Sequence, residues 1–102
     1  MEDITTSYYE YRKHINKPRE ISIGEENEIH RDIYKILLDL DIKPHKIFVD
    51  YPDSVVFVDF YLKEDAEKLK EKLESTPKIY LDISIGMEDN LHYIGYSYDP
   101  DF

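Results

Sequence analysis

The chain has 102 residues, enough for one compact domain and too few for two, and sets 23 carboxylates against 13 Lys and Arg for a formal net charge of -10. That charge repels phosphate and anionic lipid surfaces and favours encounter with basic proteins, so neither nucleic acid nor a membrane is expected as a direct partner. The absence of cysteine excludes disulfides, thiolate metal sites and cysteine nucleophiles, and the three glycines, Gly24, Gly86 and Gly95, cannot make a phosphate-cradling loop.

The opening residues lack the apolar core of a signal peptide, and no stretch approaches the roughly 18 apolar residues of a membrane span, which gives an expected cytoplasmic location. Residues 1–18 are polar and tyrosine-rich without a sustained period, and read as an arm. Arg19 to Ile23 alternates briefly before Gly24 and predicts a short strand with Ile21 and Ile23 inward. From Glu25 onward Ile29, Ile33, Ile36, Leu37 and Leu40 recur at helical spacing. Glu25, Glu26 and Glu28 stand where a helix dipole favours carboxylates, and Lys43-Pro44 is expected to end the helix.

Ile47, Val49 and Tyr51 alternate with Phe48 and Asp50, Tyr51-Pro52-Asp53-Ser54 supplies turn residues, and Val56, Val58, Phe60 and Leu62 resume the alternation. This predicts a hairpin in which Val49 opposes Val56, Phe48 opposes Phe57, Ile47 opposes Val58 and Lys46 opposes Asp59. Lys63 to Ser75 predicts a helix with Ala66, Leu69 and Leu73 as its apolar stripe and Glu64 paired with Lys68, closed by Thr76-Pro77. Ile79, Leu81, Ile83 and Ile85 then alternate with Tyr80, Asp82 and Ser84. Gly86 to Asn90 predicts a turn, Leu91 to Tyr98 a returning strand, and residues 99–102 a short acidic tail.

The order strand, helix, strand, strand, helix, strand, with an extra strand at the end, predicts an α+β ferredoxin-like sandwich over residues 19–98. Two helices would cover one face of an antiparallel sheet and leave the other open. With Ile47, Val49, Val56, Val58, Phe60, Ile79, Leu81 and Ile83 inward, the open face receives Phe48, Asp50, Phe57, Asp59, Tyr61, Tyr80, Asp82 and Tyr96. Phe57-Val58-Asp59-Phe60, followed by Glu64-Asp65-Ala66 at a helix start, resembles part of the RNA-recognition motif signature. Asp53 stands where that family carries Lys or Arg, Val55 and Val56 replace an aromatic and a small residue, and Ser22 takes the place of the first strand's aromatic. The resemblance therefore implies a similar fold and not RNA binding.

These features point to a small acidic protein-binding inhibitor of a basic, nucleic-acid-binding protein. Its carboxylates would stand where the partner expects phosphates, and its Tyr rings would supply stiff contact area. Phage-type anti-CRISPR or anti-restriction inhibitors and nuclease-toxin immunity proteins are acidic proteins of this kind. The expected partner-binding residues are Asp50, Phe57, Asp59, Tyr61, Tyr80, Asp82 and Tyr96, and roughly half of the ten tyrosines are expected to serve packing alone. One rival is a metal-dependent nuclease holding its ion with Asp50, Asp59 and Asp82, against which Lys46 already offers Asp59 a structural partner. Another is an RRM-like protein-interaction module that mimics nothing. His14, His30, His45 and His92 lack paired ligand spacing, with His30 expected in solvent, and no Ser or Thr lies in a nucleophile elbow. No enzyme activity, cofactor or resident metal is expected, while unpaired sheet edges and exposed aromatics leave a homodimer open.

Overall fold

The computed structural model describes residues 1–13 and 28–99. Its elements are β1 (Glu2–Asp3), α1 (Thr5–Lys13), α2 (Glu28–Leu40), β2 (Lys46–Asp50), β3 (Val55–Phe60), α3 (Lys63–Glu74), β4 (Tyr80–Glu88) and β5 (Leu91–Tyr98).

Helical periodicity carries over to α2 and α3. Ile33, Ile36 and Leu37 are buried on α2 as their spacing requires, joined by Tyr34, which the expected stripe did not include, while Ile29 and Leu40 are half-buried; Ala66, Leu69 and Leu73 form the buried stripe of α3. The charges of α3 pair as Lys63–Glu67 and Lys70–Glu74, a surface exchange worth only a few tenths of a kcal/mol. Helix α2 stops at Leu40, before the expected Lys43-Pro44 boundary. Asp41 adopts φ 51°, its N–H donates to the Leu38 carbonyl (3.1 Å), and the Ile42 N–H reaches back to Leu37 (3.3 Å). Those two bonds are a Schellman closure, with Ile42 buried as its apolar partner and Asp in the left-handed seat that glycine usually takes.

The sheet is antiparallel throughout, in the order β1-β2-β3-β5-β4. The β2–β3 hairpin has the register its alternation predicts, with Lys46 opposite Asp59, Ile47 opposite Val58, Phe48 opposite Phe57 and Val49 opposite Val56. Beyond it the chain departs from a βαββαβ sandwich. A ferredoxin-like order places its first strand beside the third, whereas β3 is flanked by β2 on one side and β5 on the other. The expected strand at Arg19 to Ile23 lies outside the described residues. What the described residues show is an α+β architecture with a five-stranded sheet and three helices.

Residues 2–13 are not a loose arm. The Ile4 N–H donates to the Ile47 carbonyl (2.9 Å), the Thr5 hydroxyl accepts from the Ile47 N–H (2.9 Å), and the Asp3 carboxylate accepts from the Thr5 N–H (2.9 Å) at the start of α1. Ile4 and Tyr8 are then buried in the main core, and Arg12 ties α1 to Asp41 (2.8 Å). Tyrosine rings fill the space between α1 and α2: Tyr8 and Tyr11 both pack on Tyr34, at 5.5 and 5.2 Å between ring centres. His30, expected in solvent, packs instead against Tyr34 and is hydrogen-bonded to the Tyr51 hydroxyl.

One irregularity decides which side chains reach each face. Between Leu81 and Ser84 the β4–β5 register slips by one residue, with Asp82 in the left-handed region at φ 52°. This β-bulge inverts the strand N-terminal to it. Tyr80 turns into the core and Leu81 turns out, the reverse of the alternation read from sequence.

Candidate partner-binding face

The core lies on one side of the sheet, where Ile47, Val49, Val56, Val58, Phe60, Ile94 and Tyr96 are all buried. The opposite side, free of helices among the described residues, carries Phe48, Phe57 and Gly95 along one row of neighbours and Lys46, Asp59, Tyr93 and Gly86 along the next. Both glycines are needed. A Cβ at Gly95 would run into the Phe57 ring, and one at Gly86 into the Tyr93 ring, so each aromatic lies across the strand beside it and covers a glycine. The rings floor a groove of about 620 Å³ whose margins include Met1, Asp59, Glu88 and Asp89. The tight turn at Asp89 and Asn90, both at positive φ (53° and 66°), sets the last two acids at the end of the hairpin.

The electrostatics of this groove are one-sided. Lys46 is the sole Lys or Arg in β2 to β5. It stands opposite Asp59, but its ammonium turns to Asp3 (3.5 Å), so it is not the neutralising partner of Asp59 that its position promised. The Thr5 hydrogen bonds, helped by Lys46, hold the Asp3 carboxyl below its ordinary range. Asp59 is shifted the other way. Partial burial raises its pKa and nearby Glu88 adds to the rise, with His45 opposing. Among the described residues, no ion pair reaches Asp59, Glu88 or Asp89.

Of the seven residues singled out by sequence, Phe57 and Asp59 are together in the groove. Asp50 shares the face but sits four rungs away along the hairpin, roughly 13 Å from Asp59 at the usual strand rise. Asp82 is exposed in the bulge of the outermost strand. Tyr61 lies just past the end of β3, its ring 4.7 Å from that of His45 and off the aromatic floor. Tyr80 and Tyr96 belong to the core, packed edge-on at 5.4 Å. The Tyr80 hydroxyl donates to both oxygens of Asp32 (2.8 and 2.9 Å), and burial raises the Asp32 pKa despite that bond. Tyr96 is inward because its neighbour on β3 is Val56. Asp50, Asp59 and Asp82 therefore do not converge, and the described residues contain no cluster of three metal-ligating side chains.

Phe48, Tyr93, Glu88 and Asp89 are among the groove residues absent from those expected to bind a partner, with Met1, Ser84 and Leu91 completing the lining. Reading Asp89-Asn90 as the complete two-residue turn would have placed Tyr93 over Gly86, since Asp and Asn are the non-glycine residues that best tolerate positive φ. No described helix is long and apolar enough to cross a membrane. No protein-family model, curated protein or solved structure matches the chain.

Proposed function

We propose that this chain is a small acidic inhibitor that docks on a basic, nucleic-acid-binding protein through the helix-free face of its sheet. The observation that supports it is the groove itself: an aromatic floor, carboxylates at its margins, and the one lysine of the described strands drawn away to Asp3. A net charge of -10 accelerates encounter with a basic surface, and the rings then slow escape once water is excluded from them. Carboxylates in the partner's phosphate seats make binding compete with nucleic acid. Phage-type anti-CRISPR and anti-restriction inhibitors and nuclease-toxin immunity proteins are the functional classes that fit. Capture of the partner from the native host, followed by association rates at low and high salt with nucleic acid as competitor, tests the reading. A steep fall in rate with salt and mutual exclusion with nucleic acid are expected. A flat salt response, or simultaneous binding of both, overturns the mimic and leaves a neutral docking module.

A second association has an observation of its own. Strand β4 ends the sheet, and Leu81, Ile85 and Met87 on it are exposed, so a homodimer along this edge is the companion reading. A strict monomer by light scattering at micromolar concentration rejects it.

A further inference from the structure

Resting on that reading of the face, we propose that the groove floored by Phe57 and Tyr93 is a seat for one arginine side chain of the basic partner, in preference to lysine. A glycine across the strand leaves room for a ring to lie down on the sheet and offer its face to the groove, and Tyr93 beside Gly86 and Phe57 beside Gly95 both reach into the space a Cβ would fill. The face of an aromatic ring attracts a cation, and a planar, weakly hydrated guanidinium stacks there where a compact ammonium stays in water. Asp59 is the cross-strand neighbour of Tyr93, and Glu88 lies close enough to raise the Asp59 pKa, so two acceptors flank one ring. Their mutual repulsion disappears when a fork of N–H donors sits between them. Competing cations are scarce here. Lys46 is engaged by Asp3, and among the described residues no ion pair reaches Asp59, Glu88 or Asp89.

The test titrates the full chain, labelled with ¹⁵N, with an acetylated tetra-arginine peptide and separately with its tetra-lysine counterpart. Amide shifts centred on Phe57, Asp59, Tyr93 and Gly95 are expected, with arginine bound about fivefold or more tighter. Glu88→Gln, a change at an exposed residue that the fold tolerates, should weaken the arginine peptide about tenfold, while Asp53→Asn at the far hairpin tip should not. Equal affinity for the two peptides, or shifts spread evenly over the acidic surface, overturns the seat. A captured partner that competes with nucleic acid while the arginine peptide misses the groove sinks this site alone. Arginine bound in the groove, with no basic partner captured from the host, supports the site and counts against the wider reading.

Discussion

Gly95→Ala is the sharpest probe of the floor, because its effect depends on one ring. The added methyl would overlap the Phe57 ring carbons and stand 3.2 Å from the Ser84 hydroxyl. Since the hydroxyl can rotate, the collision with Phe57 dominates. Displacing a well-packed ring costs about 1–3 kcal/mol, and relieving a strand glycine of its backbone entropy returns about 0.5–1 kcal/mol, so a net loss of about 1–2 kcal/mol follows. With Phe57→Ala already in place the collision is gone and only the gain remains. The double variant should then be about 2 kcal/mol more stable than the two single effects add up to. Urea unfolding of the four proteins measures this directly. Additivity within about 0.5 kcal/mol would show that Phe57 doesn't rest on Gly95, and the argument for a flat aromatic floor would go with it.

Asp59→Asn should raise stability at pH 7. Burial raises the folded-state pKa of Asp59, so its favourable contribution is complete below the unfolded value near 3.8 and is lost as pH climbs through the raised value; the advantage of the variant should therefore fade on acidification, which urea midpoints at pH 7 and pH 3.5 will show. Tyr80→Phe should cost about 1–2 kcal/mol in chemical unfolding by leaving the half-buried Asp32 carboxylate without its donor, and an unchanged midpoint would mean that water replaces the hydroxyl. Asp41→Gly should stabilise by about 0.5–1 kcal/mol by relaxing the left-handed closure of α2, less the small surface ion pair to Arg12; destabilisation would show that Arg12 matters more than the turn. Against a captured partner, Tyr93→Ala should quicken dissociation by about tenfold or more while Tyr61→Ala changes it little, and surface plasmon resonance showing the opposite order would move the contact to the His45 end of the sheet.

The parts of the fold that the sequence reveals are those where one period runs uninterrupted. The hairpin register from Lys46 to Asp59, the buried stripe of α3 and, Tyr34 aside, that of α2 follow from alternation and helical spacing. The N-terminal segment hides because Ile4, Tyr8 and Tyr11, at i, i+4 and i+7, make a helical stripe mostly of tyrosine, which a polar-apolar reading discounts. The bulge hides for a different reason. Asp82 fits an outward strand position as well as a left-handed one, and only the slip of register against Ser97 distinguishes the two. That single residue moves Tyr80 from the open face into the core.

The same slip changes what the tyrosines mean. Four are buried, Tyr8, Tyr34, Tyr80 and Tyr96, and Tyr9, Tyr11, Tyr51 and Tyr98 pack against them, which leaves Tyr61 and Tyr93 outside the core rather than half of the ten. Tyrosine content therefore says little about binding in this chain. It describes a core built with large amphipathic rings, each hydroxyl needing a polar neighbour or a path to water. Acidity survives the correction because it is a property of the whole surface, and a field of that strength acts on association at distances where no register matters. On the proposed reading, residence is a local matter. It would depend on Phe57 and Tyr93 finding glycines across the strand and on Asp59 being left free by Lys46, and these pairings exist only in the folded register. Composition thus bears on how fast the proposed basic partner would arrive, while how long it would stay rests on the pairing of β3, β5 and β4, where a bulge and a two-residue turn fix the register.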